Sequence, residues 1–416
     1  MASVALCHTS AKLERPRLEV ADIFRAHAEQ YRESHALSPQ QLKLLWDIEN
    51  CRTAALGEHA DVCNVCGHYT VSFNSCRNRH CPKCQSLAQA KWIEQRTQRI
   101  IDTHYFHTVF TLPHELKPLA MDNQKQIYDM LFRATSTTLL EFGHSRLDAQ
   151  IGFTAVLHTW SQKLLYHIHL HCIVTGGGLA LSKHRWVPAR ESYLFPVEAM
   201  SRLFRGKFLD ALQKAYNNGE FDLSGYAAKL SYRENFRRLK DKLYRKDWVV
   251  YAKRPFGGPE QVFKYLGLYT HRVGISNRRL ISMDDNGICF ATKDGNTVTV
   301  APQEFIRRFI LHVLPSSFAK IRHYGLMASS NSTTKLEVAR QLIEQEQGSK
   351  TEHTQDNQPG DNATVQNTDW RERLRKLTGL DLSLCPACKK GRMIRYSLNG
   401  IPYSNNAQRA PPFDSS

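Results

Sequence analysis

The sequence predicts an α+β protein, because helical stretches, a pair of strands and clustered cysteines follow one another along the chain. Apolar residues recur at helical spacing in residues 17–57 and in residues 124–142, and Gly143 is expected to end the second stretch. Residues 152–160 and 167–175 alternate as strands do, and three glycines are expected to end the second strand. Because the two strands are close in sequence, they predict an antiparallel hairpin.

The net charge favours a polyanionic partner. The 416 residues include 56 Lys and Arg against 39 Asp and Glu, a formal charge of +17 at pH 7. Charges that serve only solubility are usually interspersed and leave a smaller excess. About half of the excess lies in residues 201–255, where 14 Lys and Arg face 6 Asp and Glu on two predicted helices and a strand. With no run of 18 apolar residues and no secretory signal pattern, we expect a soluble, intracellular protein.

Six of the eleven cysteines form Cys-x-x-Cys pairs. Fourteen residues separate the pair Cys63 and Cys66 from the pair Cys81 and Cys84. In a reducing compartment, two such knuckles are typical of four thiolates around a tetrahedral zinc, each at about 2.3 Å. The sequence therefore predicts one zinc site formed by these four cysteines. Cys76 and His80 lie beside the second pair, and their role as ligands, neighbouring groups or packed side chains stays open.

Basic residues near the second knuckle favour a surface that contacts nucleic acid. Arg77 and Arg79 are the residues expected to make this contact. The third pair, Cys385 and Cys388, supplies only two thiolates. It is therefore either half of a site that needs a partner or a relic.

Other segments complete the organisation of the chain. Residues 38–41 predict a helix start, residues 284–287 and 294–296 predict the turns of a meander, and a helix is expected from residue 303 to about residue 314. Residues 328–369 lack aromatic residues and are rich in polar ones, which predicts a linker or disordered segment and leaves room for one short helix.

These features divide the chain into five predicted parts. They are a flexible N-terminus (1–17), a helical and zinc-binding domain (18–105), a main domain (106–327), a disordered linker (328–369), and a basic helix with a Cys-x-x-Cys knuckle and a flexible tail (370–416).

Three histidines alternate with aliphatic residues in the second predicted strand, so the three imidazoles share one face. At about 3.3 Å per residue, His167 and His171 lie about 13 Å apart and cannot share an ion, whereas histidines two residues apart can. If the hairpin turn is centred on residues 163–164, His158 lies opposite His169 and adds a third nitrogen at about 5 Å. Such a site leaves positions open for substrate oxygens. The alternative is a row of solvent-facing histidines on an edge strand.

Tyr265 and Tyr269 lie at positions i and i+4 of a helix that is predicted to begin at Pro259, so both phenols share one face. A pair at this spacing is ordinarily a packing feature. Its surroundings favour function, because a tyrosine oxygen is a workable nucleophile at phosphorus when a cation stabilises the developing charge. Basic side chains that could hold the neighbouring phosphates flank the pair: Lys264, His271 and Arg272.

Together these motifs resemble the two-tyrosine HUH transposases of rolling-circle bacterial insertion sequences, the type that carries an N-terminal zinc-binding domain. The resemblance covers nearly the whole ordered chain, and the fixed order of its motifs makes it more specific than any single motif. The matching segments are residues 21–27, 51–57, 75–84, 156–160, 167–178, 265–272 and 322–325.

The resemblance assigns roles to individual residues. His169-Leu170-His171 corresponds to the HUH signature, and Tyr265 and Tyr269 correspond to the paired nucleophiles. Two positions depart from the common pattern, since Ile168 stands where proline is expected and Leu268 stands where a basic residue is frequent. Neither departure removes a ligand or a nucleophile.

The resemblance also implies a fold and an activity. Residues 106–327 would form an HUH domain, an RRM-like antiparallel sheet flanked by helices. This domain would cleave and rejoin single-stranded DNA at element ends and target through a 5′-phosphotyrosine intermediate, with Mg²⁺ or Mn²⁺ at the histidines and Zn²⁺ at the cysteines. The implied location is the bacterial cytoplasm at the nucleoid, with no membrane partner and with the host replication machinery as a further candidate partner.

Two alternatives stay open at this point. A plasmid replication initiator or relaxase would use the same strand and tyrosines, although the zinc module favours a transposase. A zinc-dependent DNA-binding regulator without catalysis would use the histidines and tyrosines only as structural residues.

Overall fold

The computed structural model describes residues 18–85, 89, 92, 99–182, 184–256, 273–351, 381 and 383–397. Within these residues the chain forms helices and antiparallel sheets, which confirms the α+β class. Several predicted features lie outside the described residues: the helix that begins at Pro259, the basic helix that follows residue 370, and the side chains of Lys264, Tyr265, Tyr269, His271 and Arg272.

The described elements are numbered here in chain order. The helices are α1 (Val20–Ser34), α2 (Pro39–Glu49), α3 (Lys117–Asp122), α4 (Gln124–Leu147), α5 (Val197–Asn217), α6 (Arg233–Arg245), α7 (Pro302–Ile310) and α8 (Lys335–Thr351). The strands are β1 (Glu58–Cys63), β2 (Tyr69–Phe73), β3 (Tyr105–Thr111), β4 (Ala149–Trp160), β5 (Tyr166–Ala180), β6 (Trp186–Pro188), β7 (Val250–Phe256), β8 (Leu280–Asp284), β9 (Gly287–Ala291), β10 (Thr297–Val300), β11 (Ile321–Gly325) and β12 (Met393–Ser397). None of the helices in the described part of the chain is long and apolar enough to cross a bilayer.

The N-terminus of α2 follows directly from its sequence. The Gln41 backbone N–H donates to the Ser38 hydroxyl at 3.3 Å, and the Ser38 N–H donates to the Gln41 side chain at 2.9 Å. Pro39 occupies the first helical position, where its missing N–H costs no intrahelical bond. The capping box therefore satisfies backbone donors that the helix leaves unpaired.

The main sheet is antiparallel, with strands in the order β11-β4-β5-β3-β7, and β6 pairs with the far end of β5. Its longest pair is the predicted β4–β5 hairpin. Helices α3 to α6 cover one face, where Phe110, Phe153 and Leu170 of the sheet join Phe132 and Phe204 of the helices in the principal core. Because side chains alternate along a strand, the neighbouring positions point to the opposite face of the sheet.

Two glycine positions differ from the sequence prediction. Strand β5 continues through its three glycines to Ala180. Helix α4 passes Gly143 and ends at Leu147, followed by the capping residue Asp148 with a φ of 50°. Close contacts require these glycines, since a Cβ at Gly178 would lie 2.7 Å from the Gln150 carbonyl oxygen. The glycines therefore allow neighbouring backbone to approach rather than ending the elements.

Helices α1 and α2 share a core with elements far along the chain. Phe24 of α1 packs edge-on against Phe309 of α7 at 5.2 Å, and Phe290 of β9 and Leu164 of the β4–β5 turn belong to the same cluster. Sheet β8–β10 is the predicted meander. The packing thus crosses the predicted domain boundary between residues 105 and 106.

Helix α8 lies in the segment that the sequence predicts to be a linker or disordered, with room for one short helix. It is 17 residues long, and Leu336, Ala339 and Ile343 are buried against Trp186 and Tyr105. The described part of this segment is therefore ordered, and its helix is longer than the short one that the sequence allows. Its apolar residues recur at helical spacing, but they are few and aliphatic. The polar composition of the segment therefore outweighs this helical pattern in a reading of the sequence.

His312 connects the segment after α7 to the turn of the β4–β5 hairpin. Its Nε2 lies 3.1 Å from the Leu164 carbonyl oxygen, to which it must donate, and its Nδ1 accepts from the Thr159 hydroxyl at 3.2 Å. Leu164 has a left-handed φ of 57° at this turn. Burial lowers the pKa of His312 to about 4, so the ring is neutral at pH 7.

We predict that His312 makes the fold sensitive to acid. The unfolded chain takes up the additional proton between about pH 6.5 and pH 4, so stability is lost as the pH falls through this window, by up to about 1.4 kcal/mol per pH unit. His312→Gln cannot titrate and should show a shallower decline in urea unfolding measured from pH 7 to pH 4. His114→Gln, an exposed control, should keep the wild-type slope; equal slopes for wild type and His312→Gln would contradict the assignment.

Candidate functional site

Three histidines come together on the face of the main sheet opposite the helices. The ligand nitrogens of His158, His169 and His171 all lie within 4.8 Å of one another. His158 stands opposite His169 in the β4–β5 ladder, which is the register that the predicted turn requires. His158 and His169 are buried and His171 is half-buried. His167 is exposed at the end of the row and is not part of the group.

Hydrogen bonds orient two of these rings. His169 Nδ1 lies 2.9 Å from the His167 carbonyl oxygen, and because a carbonyl only accepts, Nδ1 carries the proton and Nε2 is an acceptor. His171 Nδ1 lies 2.8 Å from His107 Nε2. The remaining nitrogens, His169 Nε2 and His171 Nε2, face each other at 3.1 Å. This close pair requires either a proton on His171 Nε2 or a cation that both nitrogens bind.

The spacing fits a divalent metal ion. Two ligands at right angles around an octahedral ion, each about 2.1 Å away, lie about 3.0 Å apart. His158 provides the third nitrogen, with its ring centroid 4.6 Å from that of His171. An ion bound by three nitrogens keeps positions for oxygen ligands such as water or phosphate.

His107 of β3, which no sequence motif singles out, supports the three histidines from the neighbouring strand. Its ring stacks on His171 with centroids 5.1 Å apart. Burial, together with the charge of Lys253, lowers the pKa of His107 to about 4, so the ring is neutral and its Nε2 can accept a hydrogen bond from the His171 Nδ1–H. The β-rich run at residues 108–112 indicates a strand, but nothing local in the sequence indicates that this strand pairs with β5.

Aromatic rings and a cation lie on both sides of the histidines. Trp160 stacks on His158 with centroids 4.7 Å apart. On the other side, Tyr251 of β7 pairs with the same β3 residue as His171 does, and the Lys253 ammonium lies 6.0 Å from the Tyr251 ring. Both β7 side chains are exposed. The face therefore offers stacking surfaces and positive charge next to the candidate metal ligands, groups suited to nucleotides.

The predicted nucleophiles, Tyr265 and Tyr269, lie between two described points of the chain. On the N-terminal side, Phe256 pairs with Tyr105 at the end of β7. On the C-terminal side, a Cβ at Gly274 would lie 3.1 Å from the Leu164 side chain.

The structure divides the cysteines into two groups of four, whereas the sequence predicts one site of Cys63, Cys66, Cys81 and Cys84. The first group is Cys51, Cys76, Cys81 and Cys84, and the second is Cys63, Cys66, Cys385 and Cys388. The single predicted site is therefore wrong in its grouping. Strand β2, about 16 Å long for its five residues, carries the chain away between the two knuckles and keeps them apart.

Thiol spacing in the first group fits a tetrahedral ion. Cys51 Sγ lies 3.5 Å from Cys84 Sγ and 3.7 Å from Cys81 Sγ, and Cys76 Sγ lies 3.6 Å from Cys84 Sγ. Four thiolates at about 2.3 Å from a zinc ion lie about 3.8 Å apart. Cys76, whose role the sequence leaves open, is thus a member of the group, while Cys51 was missed because it has no close cysteine neighbour in sequence.

The basic residues beside this group have different surroundings. The Arg79 guanidinium donates to the carbonyl oxygens of Phe318 at 2.8 Å and Pro315 at 2.9 Å. This arrangement argues against the nucleic-acid contact predicted for Arg79. Arg77 is exposed, so its predicted contact is sterically feasible. His80 is outside the cysteine group, and burial lowers its pKa well below the usual value.

Comparisons with known proteins match two segments of the chain to two protein families. Residues 152–335 match the family described as "Putative transposase", and residues 23–112 match the family described as "Transposase zinc-binding domain". The chain is 45% identical over 385 residues, 90% of this chain and 94% of the relative, to "Putative transposase y4qJ" of Sinorhizobium fredii. It is 27% identical over 287 residues, 67% of this chain and 68% of the relative, to "Transposase for insertion sequence element IS801" of Pseudomonas savastanoi pv. phaseolicola.

No solved structure matches the chain significantly. The extent of the similarity to the Sinorhizobium protein and the two family matches nevertheless agree with the resemblance that the motifs indicate. The chain therefore belongs to the IS91-type family of insertion-sequence transposases and carries the zinc-binding domain of that family.

Proposed function

We propose that this transposase cleaves and rejoins single-stranded DNA through a 5′-phosphotyrosine intermediate, with a divalent cation at the three histidines. The observation that carries the proposal is the convergence of His169 Nε2 and His171 Nε2, 3.1 Å apart, with His158 beside them on the open face of the sheet. A net charge of +17 suits a nucleic-acid substrate.

Hydrogen bonds orient the imidazole rings of His169 and His171 so that their Nε2 atoms can bind a metal ion. Bound Mg²⁺ or Mn²⁺ would polarise the scissile phosphate and stabilise the negative charge that develops on it. His169 keeps its Nε2 lone pair available because its Nδ1–H donates to the His167 carbonyl oxygen. His171 reaches the same state when its Nδ1–H donates to His107. Such outer hydrogen bonds fix the tautomer and the ring orientation of metal-binding histidines.

Tyr265 or Tyr269 would act as the nucleophile. A bond forms between the phenol oxygen and phosphorus, the bond from phosphorus to the 3′ oxygen breaks, and the phenol proton leaves with solvent. The DNA then carries a free 3′-OH and a 5′ end attached to the protein. Because the phosphotyrosine bond conserves the energy of the broken bond, a 3′-OH can reverse the reaction on another strand without ATP. The second tyrosine would serve the second cleavage or the strand transfer.

The path of the described chain supports this assignment. Strand β7 ends where Phe256 pairs with Tyr105, and Tyr105 in turn pairs with Thr175 of β5. The chain returns at Gly274, beside Leu164 at the opposite end of β5. The metal-site histidines of β5 lie between these two points. The described residues on either side of the segment that carries Tyr265 and Tyr269 therefore lie beyond opposite sides of the histidines along β5.

The family assignment favours a transposase over a replication initiator or relaxase with the same chemistry. The alternative of a DNA-binding regulator without catalysis makes a different prediction, because a regulator forms no covalent bond to DNA. Zinc in the first cysteine group would hold the zinc-binding domain together, since its thiol spacing fits a tetrahedral ion.

Covalent capture tests the nucleophiles. Wild-type protein with Mn²⁺ should attach to the 3′-labelled fragment of a single-stranded element end, seen as a shifted band on a denaturing gel. Tyr265→Phe with Tyr269→Phe should lose this adduct, because neither phenylalanine has an attacking oxygen. Tyr232→Phe with Tyr244→Phe, both exposed, should form it normally. An adduct in the first double variant would exclude these tyrosines, and a wild type that binds DNA without any adduct would favour the regulator.

The histidine pair should be required for cleavage but not for binding. We expect His169→Ala with His171→Ala to lower the nicking rate by about 100-fold or more, because several kcal/mol of charge stabilisation are lost. DNA affinity, measured by fluorescence anisotropy without metal, should stay close to wild type. His167→Ala is the matched control, since its ring is exposed on the same strand outside the group. Wild-type nicking by the double variant would exclude the proposed metal site.

His107 should tune metal affinity. His107→Phe removes the acceptor of the hydrogen bond from His171 Nδ1–H, and the Mn²⁺ concentration for half-maximal nicking should rise by about 10–100-fold. His107→Gln keeps a side-chain oxygen acceptor and should lose less affinity. Saturating Mn²⁺ should restore much of the rate of His107→Phe. A loss of rate without any change in Mn²⁺ dependence would contradict this role.

A further inference from the structure

We propose that Cys63, Cys66, Cys385 and Cys388 bind a second zinc ion that joins two distant parts of the chain into one discontinuous zinc ribbon. The match to the zinc-binding domain ends at residue 112, so half of these ligands come from outside that domain. The inference concerns the folding of the chain and is independent of the proposed cleavage chemistry.

The sulfur atoms of this group have the spacing of metal ligands. Cys63 Sγ lies 3.7 Å from Cys388 Sγ, and Cys66 Sγ lies 3.7 Å from Cys385 Sγ. These distances are close to the edge of about 3.8 Å expected for four thiolates around zinc. A disulfide would require about 2.05 Å. The four side chains are thus arranged for a shared ion rather than for two covalent bonds.

Backbone N–H groups point at the sulfur atoms in both knuckles. The Val65 N–H donates to Cys63 Sγ at 3.4 Å, and the Cys388 N–H donates to Cys385 Sγ at 3.5 Å. The Gly391 N–H donates to Cys388 Sγ at 3.3 Å. Such donors stabilise the negative charge of a thiolate, which is the form of cysteine that binds metal.

The two knuckles repeat the same turn. The residue after the second cysteine has a left-handed backbone in each, with φ of 73° at Gly67 and 55° at Lys389. The N–H of this residue donates to the carbonyl oxygen of the first cysteine at 3.1 Å in both, to Cys63 and to Cys385. A non-glycine residue seldom adopts this conformation. The same turn therefore surrounds both pairs of thiols, and at Lys389 it is kept although the conformation is unfavourable for lysine.

The knuckles also meet closely. A Cβ at Gly391 would lie 2.3 Å from Cys63 Sγ, so only glycine leaves room for the first knuckle at this point. Strand β12 pairs with β1 next to it, with Met393 opposite Cys63. The Arg395 guanidinium binds the Asp61 carboxylate through two hydrogen bonds of 3.0 and 2.8 Å. The C-terminal strand is therefore fixed in register on the N-terminal hairpin.

Within the described residues, the three-stranded sheet of β12, β1 and β2 has little apolar packing to hold it together. The buried cluster between β12 and β1 consists of Cys63, Cys385 and Met393, with Cys388 partly buried against it. On the solvent side, Tyr69 of β2 is 68% exposed. Small domains with so little core usually require a metal or a disulfide. A zinc ion that links the two knuckles supplies this stabilisation.

Metal content of the full-length protein tests the proposal. Wild type should contain two zinc ions per chain by inductively coupled plasma mass spectrometry, one for each cysteine group. Cys385→Ser with Cys388→Ser should contain one, and Cys289→Ser, a cysteine outside both groups, should keep two. Replacing zinc with Co²⁺ should give thiolate charge-transfer absorption that falls by about half in the double variant. One zinc ion in wild type, or two in the double variant, would overturn the proposal.

Two further measurements distinguish a zinc site within one chain from general misfolding of the variants and from a site shared between two chains. Trypsin should cut the double variant after Lys389 or Lys390 at least about 10-fold faster than wild type, because β12 is no longer fixed. Cys63→Ser with Cys66→Ser should also contain one zinc ion, and mixing the two double variants should restore none. Recovery of zinc on mixing would place the site between two chains. Equal rates of trypsin cleavage in wild type and in the Cys385→Ser, Cys388→Ser variant would contradict the proposal that the zinc site holds β12 in place. These experiments need no DNA, so their failure would leave the proposed cleavage reaction untouched.

Discussion

The register of the β4–β5 hairpin is the constraint on which the structure depends. His158 stands opposite His169, and the alternating aliphatic positions Ile168 and Leu170 face the helices. A slip of one residue would turn the histidines into the apolar core and expose the aliphatic side chains. Burial of an aliphatic side chain contributes about 1.5–3 kcal/mol. The packing that stabilises the fold therefore also aims the imidazoles at a common point.

The strands on either side of β5 add the other side chains of the histidine site. Strand β3 places His107 against His171 on one side of β5, and β4 places His158 on the other. Each imidazole is held by the sheet or by a ring stacked on it, so a cation would meet ligands that need little rearrangement. Preorganisation of this kind is what makes charge stabilisation effective in catalysis. The helices on the far face contribute by burying the aliphatic side chains that fix the register.

Local patterns in the sequence were enough for the parts of the fold that local interactions decide. The capping box at Ser38, the hairpin register and the grouping of three histidines follow from residues close in sequence. The cysteine grouping could not be found in this way, since Cys66 and Cys385 are 319 residues apart and a Cys-x-x-Cys pair has the same local signature whichever pair it meets. His107 was missed for the same reason, because strand pairing across the sheet is not encoded by spacing.

The zinc-binding domain and the histidine site are mechanically connected. Cys51 and Cys81 of the first cysteine group lie in one buried cluster with Leu164, at the turn of the β4–β5 hairpin, and with Ile275, where the chain returns after the predicted nucleophiles. Metal in the first cysteine group would stiffen this cluster, and the cluster holds the turn that sets the histidine register. A zinc-binding domain in this position therefore supports the histidine face directly.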